Sequence, residues 1–352
     1  MIYLRENTLS KHIILSLIVF FWMACEDSHS DHNTIYNFDS HPAGRVSSLK
    51  MTAGEYENYI RNDGFSDPAI RIPIIQDIYE RFPDKYDFIF FVLNEPSIPA
   101  GLNYYGKLIG VSNNIEGIGL SKYDYSSEYG SSGKLKAIMQ LTGLEYLKYG
   151  PALHEIAHQW ANFAMLTHSV DAQGQNISSF PYGSHWGFTG GSSPGQLGGF
   201  DQNTLVENGN SSYTVDAFGT FANGGNGVPY NELELYLMGM LPLSSVSSFD
   251  VFTNITSLTI NQSTWDFTAE TRTTYSPGTL ENALGERVPS FTNSQKNFKL
   301  LLIVITDDNL SDDEWSRVDA TAEWFSKNGD DGTSLFNFWE ATNGVGSITI
   351  EN

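Results

Sequence analysis

The chain has 352 residues and a formal net charge of −22, from 19 Lys+Arg against 41 Asp+Glu. An acidic excess of that size repels nucleic-acid phosphates and anionic headgroups, which argues against a nucleic-acid partner and limits membrane association to a lipid anchor. Aromatic residues make up 13% of the chain and are spread along it, which points to a large core rather than a localised aromatic binding strip.

The amino terminus opens on a polar, weakly basic stretch with Arg5 and Lys11, then runs apolar from Ile13 to Ala24. That run is too short for a bilayer-spanning helix but fits the hydrophobic region of a secretory signal, so residues 1–24 are expected to be a signal peptide. Cys25 closes the run and is the single cysteine, so it has no internal disulfide partner. Its position resembles the lipobox of bacterial lipoproteins, in which the cysteine is acylated and becomes the new amino terminus. Glu26 and Asp27 resemble the acidic export tag of surface lipoproteins in Bacteroidetes-type bacteria. These resemblances imply lipidation at Cys25 and a place in the bacterial cell envelope, on the outer membrane and facing the exterior. Residues 25–45 are rich in Asp, Ser, His and Asn, and read as a lipidated tether in which His29, His32 and His41 are linker residues.

A folded domain is expected over 46–352, as one core or as two lobes meeting at the helix 151–165. Ile72, Ile75, Ile78 and Tyr79 predict a helix over Ile70–Phe82, and the apolar run Tyr86–Leu93 predicts a buried strand. Glycines alternating with apolar residues between Gly101 and Leu120 suggest two short strands around the Ser112-Asn113-Asn114 turn. Leu135–Lys148 reads as a second helix.

The most informative stretch follows, Tyr149-Gly150-Pro151-Ala152-Leu153-His154-Glu155-Ile156-Ala157-His158-Gln159-Trp160. Pro151 suits a first helical position with Gly150 as cap, and Leu153, Ile156, Ala157, Trp160 and Ala164 form a buried stripe. Residues four apart share a helix face, so His154 and His158 offer two imidazoles to one metal ion while Glu155 lies beside it.

Val170–Asn210 is dominated by Gly, Ser, Asn and Gln, and reads as an active-site rim carrying Ser184-His185-Trp186-Gly187. His185 and Trp186 are candidates for substrate contact there, with loop anchoring as the other reading of Trp186. Asn231 caps a helix that Gly239 and Pro242 end. Short β-like runs occupy Val251–Arg272, Phe298–Thr306 is a second buried strand, and helices follow over Ser311–Lys327 and Ser334–Ala341. The acidic pairs Asp307-Asp308, Asp312-Asp313 and Asp330-Asp331 lack the spacing of a calcium loop and read as helix caps and first-turn acids.

A hydrolytic zinc site takes three protein ligands and leaves one position for water. Ala161 and Ala164 exclude the extended three-histidine form of the motif, and no histidine follows His185. The third ligand is therefore His168, His185 or a carboxylate. His168, just past the helix, reads as a surface residue. Glu234 is preferred, with a capping box from Asn231 as its other reading, His185 is the alternative, and Glu232 is weaker.

His154-Glu155-Ile156-Ala157-His158-Gln159-Trp160, the His185-Trp186-Gly187 loop and Glu234-Leu235-Tyr236-Leu237-Met238-Gly239 together resemble secreted bacterial zincin-type proteins, with Glu234 placed as in gluzincins. The resemblance covers roughly Asp87 to Gly344. It implies an α+β zincin-like fold and a surface-anchored hydrolase, a zinc metalloprotease of the HExxH type acting on extracellular protein or peptide. The expected cofactor is Zn2+, Glu155 is the expected general base, and His185 or a Tyr is the expected oxyanion donor. An edge strand near the metal helix would pair with substrate backbone. The other readings are a non-catalytic zincin-fold lipoprotein that binds host protein or glycan, and a non-peptide zinc hydrolase.

Overall fold

The computed structural model describes residues 35–162, 164 and 184–352. The expected signal segment, Cys25, His29, His32, His168 and the first part of the Gly-rich stretch lie outside the described residues. The fold is α+β.

In chain order, β1 (Asn37–Ser40) and β2 (Val46–Lys50) precede α1 (Ala53–Arg61) and α2 (Pro68–Arg81), which lead into β3 (Phe88–Leu93). Then come β4 (Gly106–Gly110), the small pair β5 (Ser112–Asn113) and β6 (Tyr123–Asp124), β7 (Ala137–Leu141), α3 (Tyr146–Tyr149) and α4 (Ala152–Ala161). A second β-rich region holds β8 (Gly190–Gly191), β9 (Phe200–Asp201), β10 (Val206–Gly209) and β11 (Ser212–Asp216). It is followed by α5 (Glu232–Met238) and the long hairpin β12 (Phe249–Ile260) and β13 (Thr264–Tyr275). The chain closes through α6 (Pro277–Leu284), β14 (Asn297–Thr306), α7 (Asp312–Phe325), α8 (Phe338–Ala341) and β15 (Ser347–Ile350).

Among the described residues the main sheet runs β1-β2-β14-β3-β7-β4, with β15 added beside the start of β14. β2, β14, β3 and β7 are parallel, and β1 and β4 are antiparallel edges. Alternation along β3 divides the interior in two. Phe88, Phe90 and Val92 face a core shared with α4, α5 and α7. Ile89, Phe91 and Leu93 face a second core under α1 and α2. A strand apolar on both faces has to be central, and β3 is. The smaller sheet β10-β11-β13-β12 has its own aromatic core of Phe188, Phe200, Phe252, Trp265 and Phe267. Among the described residues no helix is long and apolar enough to cross a membrane.

Four expectations are corrected. Leu135–Lys148 is not a helix, since its first half is β7, buried between β3 and β4, and only Tyr146–Tyr149 is helical. A short, mostly apolar run fits a doubly buried strand as well as a helix segment, and Gly143 breaks any longer helix. The turn at Ser112 joins no hairpin with β4: β4 pairs with β7, and β5 pairs with β6. The polar segment 25–45 is not tether throughout. β1 pairs antiparallel with β2, Ile35 and Tyr36 donate their amides to Asp77, and His41 stacks on Trp315. A backbone ladder and the packing of Phe38 against Phe82 hold this strand, and a polar composition does not register either. The last helix is only Phe338–Ala341, starting at the Asn337 cap.

Candidate metal centre

α4 begins one residue later than expected, with Pro151 as cap and Ala152 first in the helix. Leu153, Ile156, Ala157 and Trp160 are buried as the stripe required. The stripe holds α4 against the sheet and sets the direction of its histidines. His154 is buried, and His158 one turn later is half-buried.

The third imidazole comes from the Gly-rich loop. His185 Nε2 lies 3.3 Å from His154 Nε2, and His158 Nε2 lies 3.1 Å from the same atom. The three side chains form a group whose ligand atoms all lie within 4.8 Å of one another. Nitrogen ligands at the usual zinc distance in a tetrahedron are separated by about 3.3 Å, so the spacing fits one ion.

Proton bookkeeping makes the same point. His154 Nδ1 is 2.6 Å from the Gln196 carbonyl oxygen, and His158 Nδ1 contacts Asn162 Oδ1. Both acceptors require a proton on Nδ1, which leaves the Nε2 lone pairs of two neutral rings facing each other. That arrangement is repulsive until a cation lies between them. Burial favours the neutral rings: it pushes His154 down to about 4 and His185 to about 3, and it lowers His158 well below the ordinary value.

Glu155 points away from the stripe towards β4. Its carboxylate accepts the Leu108 backbone N–H, and burial pushes it up to about 8, with that N–H and Lys107 pulling against the shift. Gly106 makes this approach possible, because a Cβ there would sit 2.7 Å from Glu155 Cγ and 2.9 Å from Pro151 Cγ. One turn further, Gln159 Nε2 donates to the Ser112 carbonyl at 2.9 Å. Strand β4 and helix α4 therefore lie side by side, with the outer edge of β4 unpaired in the sheet.

The preferred third ligand of the sequence reading, Glu234, is not brought to the histidines. It is fully buried, and its two oxygens accept the backbone N–H groups of Leu197 (2.7 Å) and Asn231 (2.9 Å). It completes a capping box with Asn231 at the start of α5. Glu232 accepts the Ser247 amide at the surface. Trp186 is 1% exposed and donates its Nε1–H to the Ala161 carbonyl, so it clamps the loop to the end of α4 and offers no face to a substrate. Phe221 packs edge-on to His185 at 5.3 Å.

Sequence reasoning did not single out Asn162, Gln196 or Gly106. Asn162 had a signal, since it lies four residues past His158 on the same helix face. Gln196 acts through its carbonyl and Gly106 through its lack of a side chain, and neither leaves a compositional trace. The acids Asp330, Asp331 and Glu340 also come together, at the surface. Compared with known protein families, curated proteins and solved structures, the chain matches none of them.

Proposed function

We propose that this chain is a zinc-dependent metallopeptidase with a zincin-like fold, in which His154, His158 and His185 hold the metal. The observation that carries the reading is the convergence of three imidazole Nε2 atoms, at 3.1 and 3.3 Å, with a buried carboxylate, Glu155, on the helix that supplies two of them. Three protein ligands with one open position are the arrangement of hydrolytic zinc rather than of closed structural zinc.

When bound, zinc would supply a Lewis acid for a peptide carbonyl and lower the pKa of a water. Glu155, adjacent to His154 and held against β4, takes the proton of the attacking water and returns it to the leaving amine. The Gln196 carbonyl and Asn162 Oδ1 fix the tautomers of His154 and His158. An extended peptide would pair with the outer edge of β4 beyond the Leu108 N–H that Glu155 holds. The apolar run Ile13–Ala24 and Cys25 support a place for this activity at the bacterial surface, on extracellular protein or peptide, with the membrane reached only through the lipid.

The test is metal content and turnover together. Purified protein should hold about one zinc per chain, and should cleave members of a peptide library in a chelator-sensitive way. Zinc binding without turnover on peptide, ester or glycan substrates would instead establish a binding protein.

A further inference from the structure

We infer that Glu234 is a positioning residue for the three imidazoles, acting through the backbone of Gln196 and Leu197. The inference rests on the metal reading above, and names the part of the protein that holds the ligands in register.

A capping role alone does not account for the geometry. The cap uses one oxygen: Oε2 accepts the Asn231 N–H at 2.9 Å. Oε1 is turned the other way and accepts Leu197 N–H at 2.7 Å. Leu197 and Gln196 before it are tied directly to the ligands. The Gln196 carbonyl accepts the His154 Nδ1–H at 2.6 Å. The Leu197 carbonyl accepts the backbone N–H of Trp186, the residue after His185, at 2.7 Å. One dipeptide thus receives Glu234 on its amide side and steers a helix ligand and the loop ligand on its carbonyl side.

The surroundings fix the dipeptide from other directions. Gln196 Nε2 donates to the carbonyls of Gly225 and Val228, at 2.6 Å each. Gly195 leaves no room for a side chain, since a Cβ there would lie 2.8 and 2.9 Å from the two Glu234 oxygens and 2.5 Å from Asn231 Nδ2. Both carboxylate oxygens are taken up by backbone amides, of Leu197 and Asn231, so Glu234 holds the loop rather than a metal ion. Its effect on the metal is indirect, through the position and orientation of His154 and His185.

The experiment compares full-length wild type, Glu234→Gln, Gly195→Ala and Asn231→Ala. Zn2+ affinity is read by chelator competition, the Co2+-substituted visible spectrum reports ligand geometry, and circular dichroism reports the fold. Glu234→Gln keeps the shape but turns an NH2 group towards amide donors. It should weaken Zn2+ binding about ten- to a hundredfold and shift the Co2+ bands. Gly195→Ala should do the same by wedging the clamp open, and it carries the test if Glu234→Gln fails to fold. Asn231→Ala removes the cap side chain, and should lower Tm while leaving Zn2+ affinity and the Co2+ spectrum unchanged. Wild-type affinity and spectrum in a folded Glu234→Gln or Gly195→Ala protein would overturn the positioning role and leave the metal reading standing. Absence of Zn2+ binding in wild type would overturn both.

Discussion

Gly106→Ala tests whether α4 and β4 form one catalytic unit, because it touches no metal ligand. The added Cβ would lie 2.7 Å from Glu155 Cγ, 2.9 Å from Pro151 Cγ and 3.1 Å from Glu155 Oε1. Carbon atoms pack at about 3.5–4.0 Å, so strand and helix must part by roughly 1 Å or Glu155 must swing aside. The proline ring cannot rotate away, which directs the displacement into the carboxylate. Misplacement on that scale costs about a hundredfold in rate, and the overpacking itself about 1–3 kcal/mol of stability. The assay is kcat/KM on a peptide cleaved by wild type, beside zinc content and urea unfolding. Zinc should stay at the wild-type level, with cleavage down about a hundredfold. Cleavage within about threefold of wild type in a folded, zinc-loaded variant would refute the role of the Gly106 contact in placing Glu155.

Removal of the general base separates chemistry from binding: Glu155→Gln should retain zinc and lose at least about two orders of magnitude in cleavage, whereas His185→Ala should lose the metal itself. Retention of tight zinc by His185→Ala, measured by chelator competition, would remove that residue from the ligand set. In the smaller sheet, burial raises Asp250, but hydrogen bonds from Arg272, Thr274 and Gln202 outweigh it and hold the carboxyl below its ordinary value. Its stabilising contribution is therefore complete above the unfolded-state pKa and is lost as pH falls through the folded one. Urea unfolding at a series of pH values should show this acid limb in wild type and a flatter one in Asp250→Asn; identical limbs would show that Asp250 does not contribute. Cys25→Ala should release the protein from membrane fractions or block its maturation, and mass spectrometry of the native amino terminus should find the acyl groups. A wild-type amino terminus without acyl mass would remove the anchor.

The parts of the fold legible in the sequence were those with strong local patterns. His154 and His158 show their shared face by spacing alone, and Leu153, Ile156 and Trp160 orient that face. The apolar runs of β3 and β14 signalled buried strands, and Asn231 and Gly239 marked the ends of α5 to the residue. What stayed hidden depends on contacts remote in sequence. β7 is a strand because β3 and β4 flank it. His185 reaches the helix ligands because Gly187, Gly198 and Gly199 take positive φ and fold the loop back, and a glycine-rich composition does not specify that path. Glu234 drew attention because it stands on a later helix, as the third ligand does in gluzincins. Sequence could not tell a carboxylate that binds metal from one that binds amides.

The imidazoles come from separately stabilised parts of the chain. His154 and His158 ride on a helix packed into the main core, whereas His185 is followed within three residues by Phe188, at the centre of the small aromatic core. A cation held by all three would tie the loop that leads into the small sheet to the helix packed in the main core, alongside the Trp186 contact to the Ala161 carbonyl. Opening of that loop would take one donor away and release the ion. Metal loading must then slow amide exchange in β10–β13, far from any ligand, by the free energy that the ion adds to the closed state. Under the proposed function, that linkage would make metal supply a control on the mobility of the small sheet, and hence on its exposure to proteolysis.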